Sequence, residues 1–354
     1  MKILITGAAG FVGAALARCF AEHYEAAHCQ IIGLDNFTRP GSETNRLPLK
    51  KLGVDLRHGD IRCPSDLELL PAADWVIDAS ALPSVLAGSE QPGASRQLME
   101  TNLVGTLNLL EYCRHQNAGF VLISTNRVYS IPTLNTISLW ESATRFELDT
   151  AQPFPEGFSS AGISEAFSTA PPISLYGASK LAAETVAREY GQAFNFPIWI
   201  NRCGILAGEG QFGRSDQGIM AFWLNAWLRK QPLKYIGYGG SGLQVRDCLH
   251  PFDLGKLLTL QMACETKTNV FNVGGGMDWV FSLRELSDWC ADRWGAQAVE
   301  SEPKDRTNDA PWLVMDAAHC RESFGWVPEI QLDKILTQLA THAEQNSDWM
   351  EISN

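Results

Sequence analysis

Three glycines at a spacing of three residues, Gly7, Gly10 and Gly13, lie between a short apolar run and an apolar-periodic helical pattern. The run Lys2–Thr6 predicts a buried strand, and Phe11–Tyr24 predicts a helix. One glycine lets the backbone turn tightly, another lets it approach a pyrophosphate closely, and the third lets the helix pack on the strand. The start of such a helix also offers free N–H groups and a positive dipole to an anion. The glycines therefore predict a strand, a turn and a helix that bind a dinucleotide.

Short apolar runs alternate with helical patterns through the first half of the chain, which predicts an α/β fold with a doubly wound parallel sheet of the Rossmann type. After about residue 207, glycine-rich loops and short elements predict a smaller C-terminal α/β lobe. We expect a cofactor-binding domain over 1–206 and a substrate-binding lobe mainly over 207–354, with some return of the chain to the first domain allowed. The predicted strands are Lys2–Thr6, Gln30–Asp35, Val54–Asp60, Trp75–Ala81, Phe120–Thr125, Pro197–Leu206 and Val270–Val273, and the predicted helices are Phe11–Tyr24, Ser95–Gln116, Tyr176–Phe194, Asp216–Lys230 and Ser282–Trp294. The stretch from 131 to 174, rich in Ser, Thr and Pro, is expected to be a long loop with little regular structure.

The composition is that of an ordered protein with an acidic surface. Of 354 residues, 45% are hydrophobic and 19% are charged, which excludes disorder as the main state. The net charge of −12 argues against binding to nucleic acid or to anionic membranes, because both attract a basic surface. No apolar stretch reaches the ~18–20 residues that a membrane-spanning helix needs. The nine cysteines include no CxxC pair, so we expect no metal site, a reducing compartment and a cytoplasmic location.

The ends of the second and third predicted strands carry carboxylates. Asp35 follows the glycines by about twenty residues, where a carboxylate binds both ribose hydroxyls and repels a 2′-phosphate. This position favours NAD over NADP as the cofactor. Asp60 and Ile61 close the third strand, which lies near the adenine by strand order, although Asp60 is equally well explained as a helix cap.

Two further motifs supply groups for acid–base chemistry. Tyr176 and Lys180 lie on one face of a predicted helix, where a nearby ammonium favours the phenolate form of the tyrosine. The tyrosine can then exchange a proton with a substrate hydroxyl. Thr125 ends the fifth predicted strand at the carboxyl edge of the sheet, where it can hydrogen-bond the reacting oxygen. Taken alone, Tyr176 and Lys180 are also explained as an exposed pair on a helix, and Thr125 as a residue that merely ends a strand. Together with the glycine turn, and in this order along the chain, the three motifs are far more specific for this chemistry.

The sequence resembles the extended short-chain dehydrogenase/reductase family, in its branch of NAD-dependent epimerases and dehydratases of nucleotide sugars. The matching segments are TGAAGFVG, LDN, GDI, NLVGTLNLLE, STNRVYS, YGASK, QVRDCLH and FGWVP. The resemblance implies NAD as the cofactor, a nucleotide sugar as the substrate, and Thr125, Tyr176 and Lys180 as the catalytic residues. The cofactor site that we expect comprises Gly7, Gly10, Phe11, Val12, Gly13, Asp35, Asn36, Thr38, Arg39, Asp60, Ile61, Ala79, Ser80, Ala81, Asn102, Ser124, Tyr176 and Lys180.

The two residues after Thr125 separate the reaction types of this family. The 4,6-dehydratases carry Asp-Glu at this place and the decarboxylases a nearby Glu, whereas this chain has Asn126 and Arg127. The resemblance therefore implies a redox-neutral epimerase, which removes a hydride and returns it to the other face of a keto sugar. STNRVY, ESATRF, Gln211-Phe212, Asp216-Gln217-Gly218 and Gln244-Val245-Arg246-Asp247 are similar to segments of the CDP-paratose 2-epimerases. That similarity implies a role in lipopolysaccharide or other polysaccharide biosynthesis.

A substrate site follows from the same resemblance. Arg246 is similar to the family arginine that binds the nucleotide diphosphate, and Arg306 is a candidate for a second phosphate contact. The implied substrate residues are Thr125, Asn126, Arg127, Gln211, Phe212, Gln217, Gln244, Arg246 and Arg306. Relatives carry other residues, two of them arginines, at Ser130, Ile205, Gly210 and Pro311, so the sugar and the base stay open.

Several alternatives stay open as well. They are a UDP-sugar 4-epimerase, an NAD(P)-dependent nucleotide-sugar dehydrogenase or reductase, and an NAD-binding regulator without turnover. Asp35 argues against a phosphorylated cofactor, and the retained Tyr176 and Lys180 argue against lost turnover. Relatives often dimerise through their two long helices, which implies a homodimer here, with Leu109 and Tyr112 as apolar candidates for the interface.

Overall fold

The computed structural model describes residues 1–84, 86, 93–214, 217–264 and 268–353. Its largest element is a parallel sheet of seven strands in the order β14-β10-β5-β4-β1-β2-β3. The strands are β1 Lys2–Thr6, β2 Gln30–Asp35, β3 Asp55–His58, β4 Trp75–Asp78, β5 Gly119–Thr125, β6 Leu139–Glu141, β7 Phe146–Leu148, β8 Phe158–Ser159, β9 Gly162–Ile163, β10 Ile198–Cys203, β11 Ile205–Leu206, β12 Lys234–Ile236, β13 Val245–Leu249, β14 Thr268–Val273, β15 Val280–Phe281, β16 Glu300–Glu302 and β17 Trp312–Leu313. This sheet confirms the predicted Rossmann-type α/β fold.

Helices cover both faces of the sheet. They are α1 Phe11–His23, α2 Arg46–Lys51, α3 Pro64–Glu68, α4 Ala94–Met99, α5 Thr106–Gln116, α6 Ile131–Leu134, α7 Ser174–Phe194, α8 Ile219–Leu228, α9 Pro251–Met262, α10 Leu283–Trp294, α11 Ala318–Phe324, α12 Leu332–Gln345 and α13 Trp349–Ser353. A π-helical segment, Glu100–Gly105, joins α4 to α5, so the predicted helix over 95–116 is one continuous helix with a π-helical turn in its middle. The predicted start of α8 at Asp216 lies outside the described residues.

The alternation of side chains along β1 explains how two layers of helices form one domain core. Ile3 and Ile5 pack in one cluster with residues of α1 and α9, and Leu4 packs in a second cluster with residues of α5 and α7. A central parallel strand is buried on both faces in this way. Because β14 and α9 belong to this core, the chain returns to the first domain after residue 206; the boundary itself stays a prediction.

A smaller sheet stands beside the main one and contains β11, β13, β15 and β17. Its core includes the buried indoles of Trp223 and Trp227 together with residues of α10 and α12. A capping box stabilises the start of α10. The Ser282 hydroxyl accepts a hydrogen bond from the Glu285 N–H, and the Glu285 carboxylate accepts one from the Ser282 N–H.

The stretch 131–174 is mostly loop, as expected, and its short elements are α6 and two hairpins, β6–β7 and β8–β9, whose apolar residues share a core with Trp312. One expectation from the sequence is wrong. Leu109 and Tyr112 are not interface residues, because they are 0% and 6% exposed within the chain itself. The Tyr112 hydroxyl donates to the Pro71 carbonyl at 2.7 Å. Across the described residues, no helix has the length and apolarity needed to cross a membrane.

Candidate active site

A cleft of about 950 Å³ lies at the carboxyl edge of the main sheet, where it meets the smaller sheet. Most of the predicted site residues line it: Gly7, Gly10, Phe11, Val12, Gly13, Asp35, Asn36, Thr38, Arg39, Asp60, Ile61, Ala79, Ser80, Ala81, Ser124, Thr125, Asn126, Arg127, Tyr176, Gln211, Phe212, Gln217, Gln244, Arg246 and Arg306. Lys180 and Asn102 lie behind its wall and are each 1% exposed. Residues as far apart in the chain as Gly7 and Arg306 thus meet in one site.

The glycine turn is shaped as the sequence predicts. Gly7 has a φ of +63°, and a Cβ atom there would lie 2.9 Å from the Ala79 carbonyl oxygen. A Cβ atom on Gly13 would clash with the Gly7 carbonyl, so only glycine lets α1 start this close to β1. Gly10 precedes α1 with an extended backbone and without a side-chain cap, which leaves the first N–H groups of the helix facing the cleft. This is a cradle for a pyrophosphate.

Asp35 has a structural task besides the one predicted. Its two carboxylate oxygens accept hydrogen bonds from the backbone N–H groups of Ala9 and Phe37, each at 2.8 Å. Burial raises the pKa of Asp35, and these backbone bonds oppose the rise. The carboxylate thus ties the glycine turn to β2 while it lines the cleft, where its remaining lone pairs fit the two ribose hydroxyls of NAD.

The far end of the cofactor groove is held by Asp60, which lies two residues after β3. Asp60 accepts from the amide of Asn36 at 2.9 Å and from the guanidinium of Arg62 at 2.6 Å. The bonds from Arg62 hold the pKa of Asp60 at about 2. Arg62 lines the cleft too and was not predicted from the sequence. Asp60 is therefore a bound carboxylate that shapes this end of the groove.

The predicted catalytic residues converge in the middle of the cleft. Tyr176 and Lys180 lie on α7, and Thr125 ends β5. A Cβ atom at Gly177 would clash with the Arg127 carbonyl, so glycine at this place lets α7 approach the end of β5. The Thr125 hydroxyl oxygen accepts from the Arg127 N–H at 3.2 Å, and the hydroxyl also forms a hydrogen bond with the Tyr176 phenol.

Burial and nearby charges act on the phenol of Tyr176 in opposite directions. Burial raises the pKa of Tyr176 to about 12, while its hydrogen bond with Thr125 and the charge of Arg127 act to lower it. Burial lowers the pKa of Lys180 itself, and the charges of Asp78 and Glu184 oppose that change. Arg127 is thus a cation that favours the phenolate of Tyr176.

Two predicted cofactor residues, Asn102 and Ser124, form hydrogen bonds within the wall of the cleft. Asn102 accepts from the Leu82 N–H at 2.8 Å and donates to the Ser179 hydroxyl at 3.1 Å, which joins the π-helical segment to α7. Ser124 borders the cleft, but its hydroxyl donates to the buried carboxylate of Glu184 at 2.5 Å. Both side chains therefore hold elements together beside the cofactor groove.

Arginines line the substrate end of the cleft. Arg246 is paired with Asp309 at 2.6 Å and also donates to the carbonyls of Val245 and Ala310. Arg306 is exposed at the rim. Within the part of the chain that is described, the Arg127 guanidinium has no hydrogen bond or ion pair. Burial and the like charge of Arg246 lower the pKa of Arg127 to about 10, so an anion placed between these two arginines would be stabilised.

The three predicted glutamines are engaged with the protein. Gln211 donates to the Leu206 carbonyl at 2.7 Å and accepts from the Ala221 N–H at 3.1 Å, so both of its polar ends brace the backbone. Gln217 accepts from Arg39, and Gln244 donates to the Ile236 carbonyl at 2.9 Å. These contacts hold the three glutamine side chains against the protein, while the arginines supply positive charge at this end of the cleft.

A protein-family model described as "NAD dependent epimerase/dehydratase family" matches residues 3–274. The chain belongs to this family. The family resemblance predicted from the sequence is confirmed. The family's cofactor, NAD, fits the glycine cradle and Asp35. When bound there, NAD supplies a carbon centre that accepts a hydride and gives it back.

One relative and two solved structures of similar fold are the proteins compared with this family member. CDP-paratose 2-epimerase of Salmonella typhi is 30% identical over 337 residues, which cover 93% of this chain and 95% of that protein. The UDP-glucuronic acid 4-epimerase of Bacillus cereus, solved with UDP-glucuronic acid and NAD, has a TM-score of 0.78 at 24% identity and covers 98% of this chain and 99% of its own. A double mutant of the dTDP-glucose 4,6-dehydratase DesIV of Streptomyces venezuelae, solved with NAD and DAU, has a TM-score of 0.80 at 24% identity, with 100% of both chains covered. The two structures share the fold.

Sequence reasoning missed part of the cleft. Besides Arg62, the unpredicted lining includes Gln97 and Thr101 on the helix before α5, the segment after β10, and side chains of the smaller lobe. These last are Phe222, Trp223, Pro232, Leu233, Lys234, Ile236, Phe281, Leu283 and Asp309. Asp309 had no sequence signal, because its partner Arg246 lies 63 residues away in the chain. The apolar residues had none, because each also fits an ordinary core.

Proposed function

We propose that this family member is a nucleotide-sugar epimerase and does not eliminate water. The observation that carries the proposal concerns the cleft carboxylates. Among the described residues, those that line the cleft are Asp35, Asp60 and Asp309, and each is held by backbone N–H groups or by an arginine. Elimination from the sugar needs a free acid or base beside the reacting carbon. Beside Thr125 and Tyr176 stand Asn126 and Arg127 instead.

The proposed chemistry uses the residues in the middle of the cleft. Tyr176, as the phenolate, takes the proton of a sugar hydroxyl while the hydride on the same carbon leaves to NAD. Thr125 donates a hydrogen bond to the reacting oxygen, and Arg127 stabilises the phenolate. Lys180 binds the nicotinamide ribose. After the keto sugar presents its other face, the hydride returns and Tyr176 gives back the proton, so the reaction is redox-neutral.

We propose CDP-paratose or a close CDP-sugar as the substrate, with inversion at C2. The 30% identity to the Salmonella typhi CDP-paratose 2-epimerase over almost the whole of both chains supports this substrate. The STNRVY segment, which begins at the end of β5, supports it too, because it is similar to a segment of the CDP-paratose 2-epimerases. Arg246 and Arg306 bind the diphosphate in this proposal.

A second candidate is the 4-epimerisation of a UDP-uronic acid. It is favoured by Arg127, whose unpaired guanidinium faces the cleft next to Tyr176 and suits a sugar carboxylate. The Bacillus cereus enzyme, which shares the fold, is a UDP-glucuronic acid 4-epimerase. A neutral sugar would give Arg127 only hydroxyl groups to bind.

The test is turnover by the purified protein on CDP-paratose, other CDP-sugars, UDP-glucose and UDP-glucuronic acid, followed by proton NMR and mass spectrometry. The proposal expects an unchanged mass and an altered coupling between H1 and H2 with a CDP-sugar. A change confined to H4 of UDP-glucuronic acid would establish the second candidate. Loss of water or of carbon dioxide would overturn both.

We also propose a homodimer, formed by the long helices, in the cytoplasm. Val104 and Leu175, 41% and 43% exposed, replace Leu109 and Tyr112 as its apolar contacts. Light scattering after size exclusion tests this, and Val104→Glu is expected to shift the particle from two chains to one. A single-chain wild type would overturn the dimer.

A further inference from the structure

A buried carboxylate continues the row of catalytic residues along α7. Tyr176, Lys180 and Glu184 follow each other at intervals of four residues, so they share one face of the helix. Glu184 is 2% exposed and forms an ion pair with Arg202 of β10, with Nη2 and Oε2 2.8 Å apart. The Arg202 Nε also lies 3.2 and 3.1 Å from the two carboxylate oxygens. A buried ion pair, in which two guanidinium nitrogens contact the carboxylate, thus bonds α7 to β10.

The second partner of Glu184 lies next to the catalytic threonine. Ser124 donates to Glu184 Oε1, and Thr125 is the following residue. Ser124 and Arg202 are themselves paired in the register of β5 and β10. One carboxylate therefore binds two strands at the level where Thr125 faces the cleft. A shift of α7 along the sheet would have to break bonds to both strands.

Further bonds fix Arg202 from the other side. Arg202 donates to the Tyr129 hydroxyl at 3.3 Å, and that hydroxyl donates to Asn272 Oδ1 of β14 at 2.6 Å. Tyr129 follows Thr125 by four residues, so this chain of bonds returns to the loop after β5. The polar groups of the network are satisfied by each other, which is the condition for a buried network to hold its elements rigidly.

Charge gives Glu184 a second task. Lys180 is buried, and the titratable groups that act on it are Asp78 of β4, Glu184 of α7 and Cys203 of β10. Without Glu184, Lys180 and Arg202 would both remain as buried cations. Of the two carboxylates that act on Lys180, Asp78 alone would be left. Burying unpaired cations is costly. The carboxylate thus helps to keep Lys180 charged beside the cofactor groove.

We propose that Glu184 is a positioning residue for the reaction. By bridging Ser124 and Arg202, it holds Tyr176 and Lys180 on α7 at a fixed place relative to Thr125 on β5, and it balances the charge of Lys180. The inference rests on the proposed function for the roles of Tyr176 and Lys180. The bridge itself is independent of that function.

Unfolding of Ser124→Ala, Glu184→Gln and the double variant in urea tests the bridge. If the two side chains bond each other, the free-energy losses are not additive, and Ser124→Ala lowers the midpoint by less in the Glu184→Gln background than in the wild type. Additive losses would overturn the bridge. If Glu184→Gln does not fold, the same cycle with Arg202→Lys, which retains a charge but not the fork, replaces it.

Steady-state kinetics tests the positioning role on whichever nucleotide sugar the wild type turns over. We expect Glu184→Gln to lower kcat about tenfold or more, with KM and bound NAD within twofold of wild type, since one hydrogen bond to a charged group is lost. The loss of kcat at high pH should begin at a lower pH, because removing a negative charge makes Lys180 release its proton more readily. Ser124→Ala, which keeps the ion pair, should lower kcat several-fold and leave that pH limb in place.

The control is Glu285→Gln, which breaks an ion pair with Arg145 of 2.6 Å in the smaller lobe, outside the cleft. It should lower stability but leave kcat and the pH profile unchanged. Equal effects of Glu184→Gln and Glu285→Gln on kcat, or an unmoved pH limb in Glu184→Gln, would overturn the positioning role. A wild type that turns over no nucleotide sugar would instead refute the proposed function, and the unfolding cycle would still decide the bridge.

Discussion

Gly13→Ala tests whether the glycine turn serves close packing beneath a cofactor. Alanine normally favours a helix by about 1 kcal/mol over glycine. Here the added Cβ would clash with the Gly7 carbonyl and lie 2.8 Å from the Ala8 Cα, and both neighbours are backbone atoms that cannot rotate away. Overpacking of this kind costs about 1–3 kcal/mol, and the upper half of that range applies because the backbone itself must move.

Thermal unfolding and the NAD content of the purified protein provide the assay. At about 2.1 cal/mol/K per residue, a loss of about 2–3 kcal/mol lowers the melting temperature of this chain by about 3–4 °C. The moved helix start should also weaken NAD binding at least about tenfold, because its N–H groups no longer point at the pyrophosphate. Gly53→Ala is the control: Gly53 has a φ of +81° and open space around it, so stability should fall while NAD is retained. A Gly13→Ala protein with wild-type stability and NAD content would refute the reasoning.

Three further outcomes are expected. Tyr176→Phe should retain NAD, measured by absorbance after release, and lose turnover; retained turnover would remove Tyr176 from its role. Arg127→Gln should shift the rise of kcat/KM with pH to higher pH, because the lost cation no longer lowers the pKa of Tyr176, and an unmoved profile would contradict that. His250, which caps α9 by accepting from the Phe252 N–H at 3.1 Å, has its pKa lowered to about 4 by burial. Because the unfolded chain binds this proton near pH 6.5, stability should fall by about 3 kcal/mol between pH 6.5 and 4; His250→Asn should remove that fall in urea unfolding, and an unchanged slope would count against it.

Local chemistry made half of the site predictable. The glycine turn, Asp35 and the pair of Tyr176 and Lys180 are each defined by residues within one strand, turn or helix. Their spacing fixes their geometry, because a helix repeats every 3.6 residues and parallel strands all end at one edge. The seven-stranded sheet followed from the same local patterns.

Partners far apart in the chain were not predictable in this way. Asp309 pairs with Arg246 across 63 residues. Gln211 shows the reverse: its sequence context indicated a substrate contact, while its amide is used to brace Leu206 and Ala221. A side chain's partners depend on tertiary packing, which motif spacing does not contain.

The central claim, hydride removal and return at one sugar carbon, is tested most directly by turnover in deuterium oxide. Because the hydride is held on NAD and does not exchange with solvent, the account predicts that the inverted carbon keeps its original hydrogen and that the sugar mass shows no incorporated deuterium. The measurement is proton NMR of the CDP-sugar product at H2, with the mass spectrum in parallel. Deuterium at the inverted carbon would show that a proton, not a hydride, was removed, and would contradict the account.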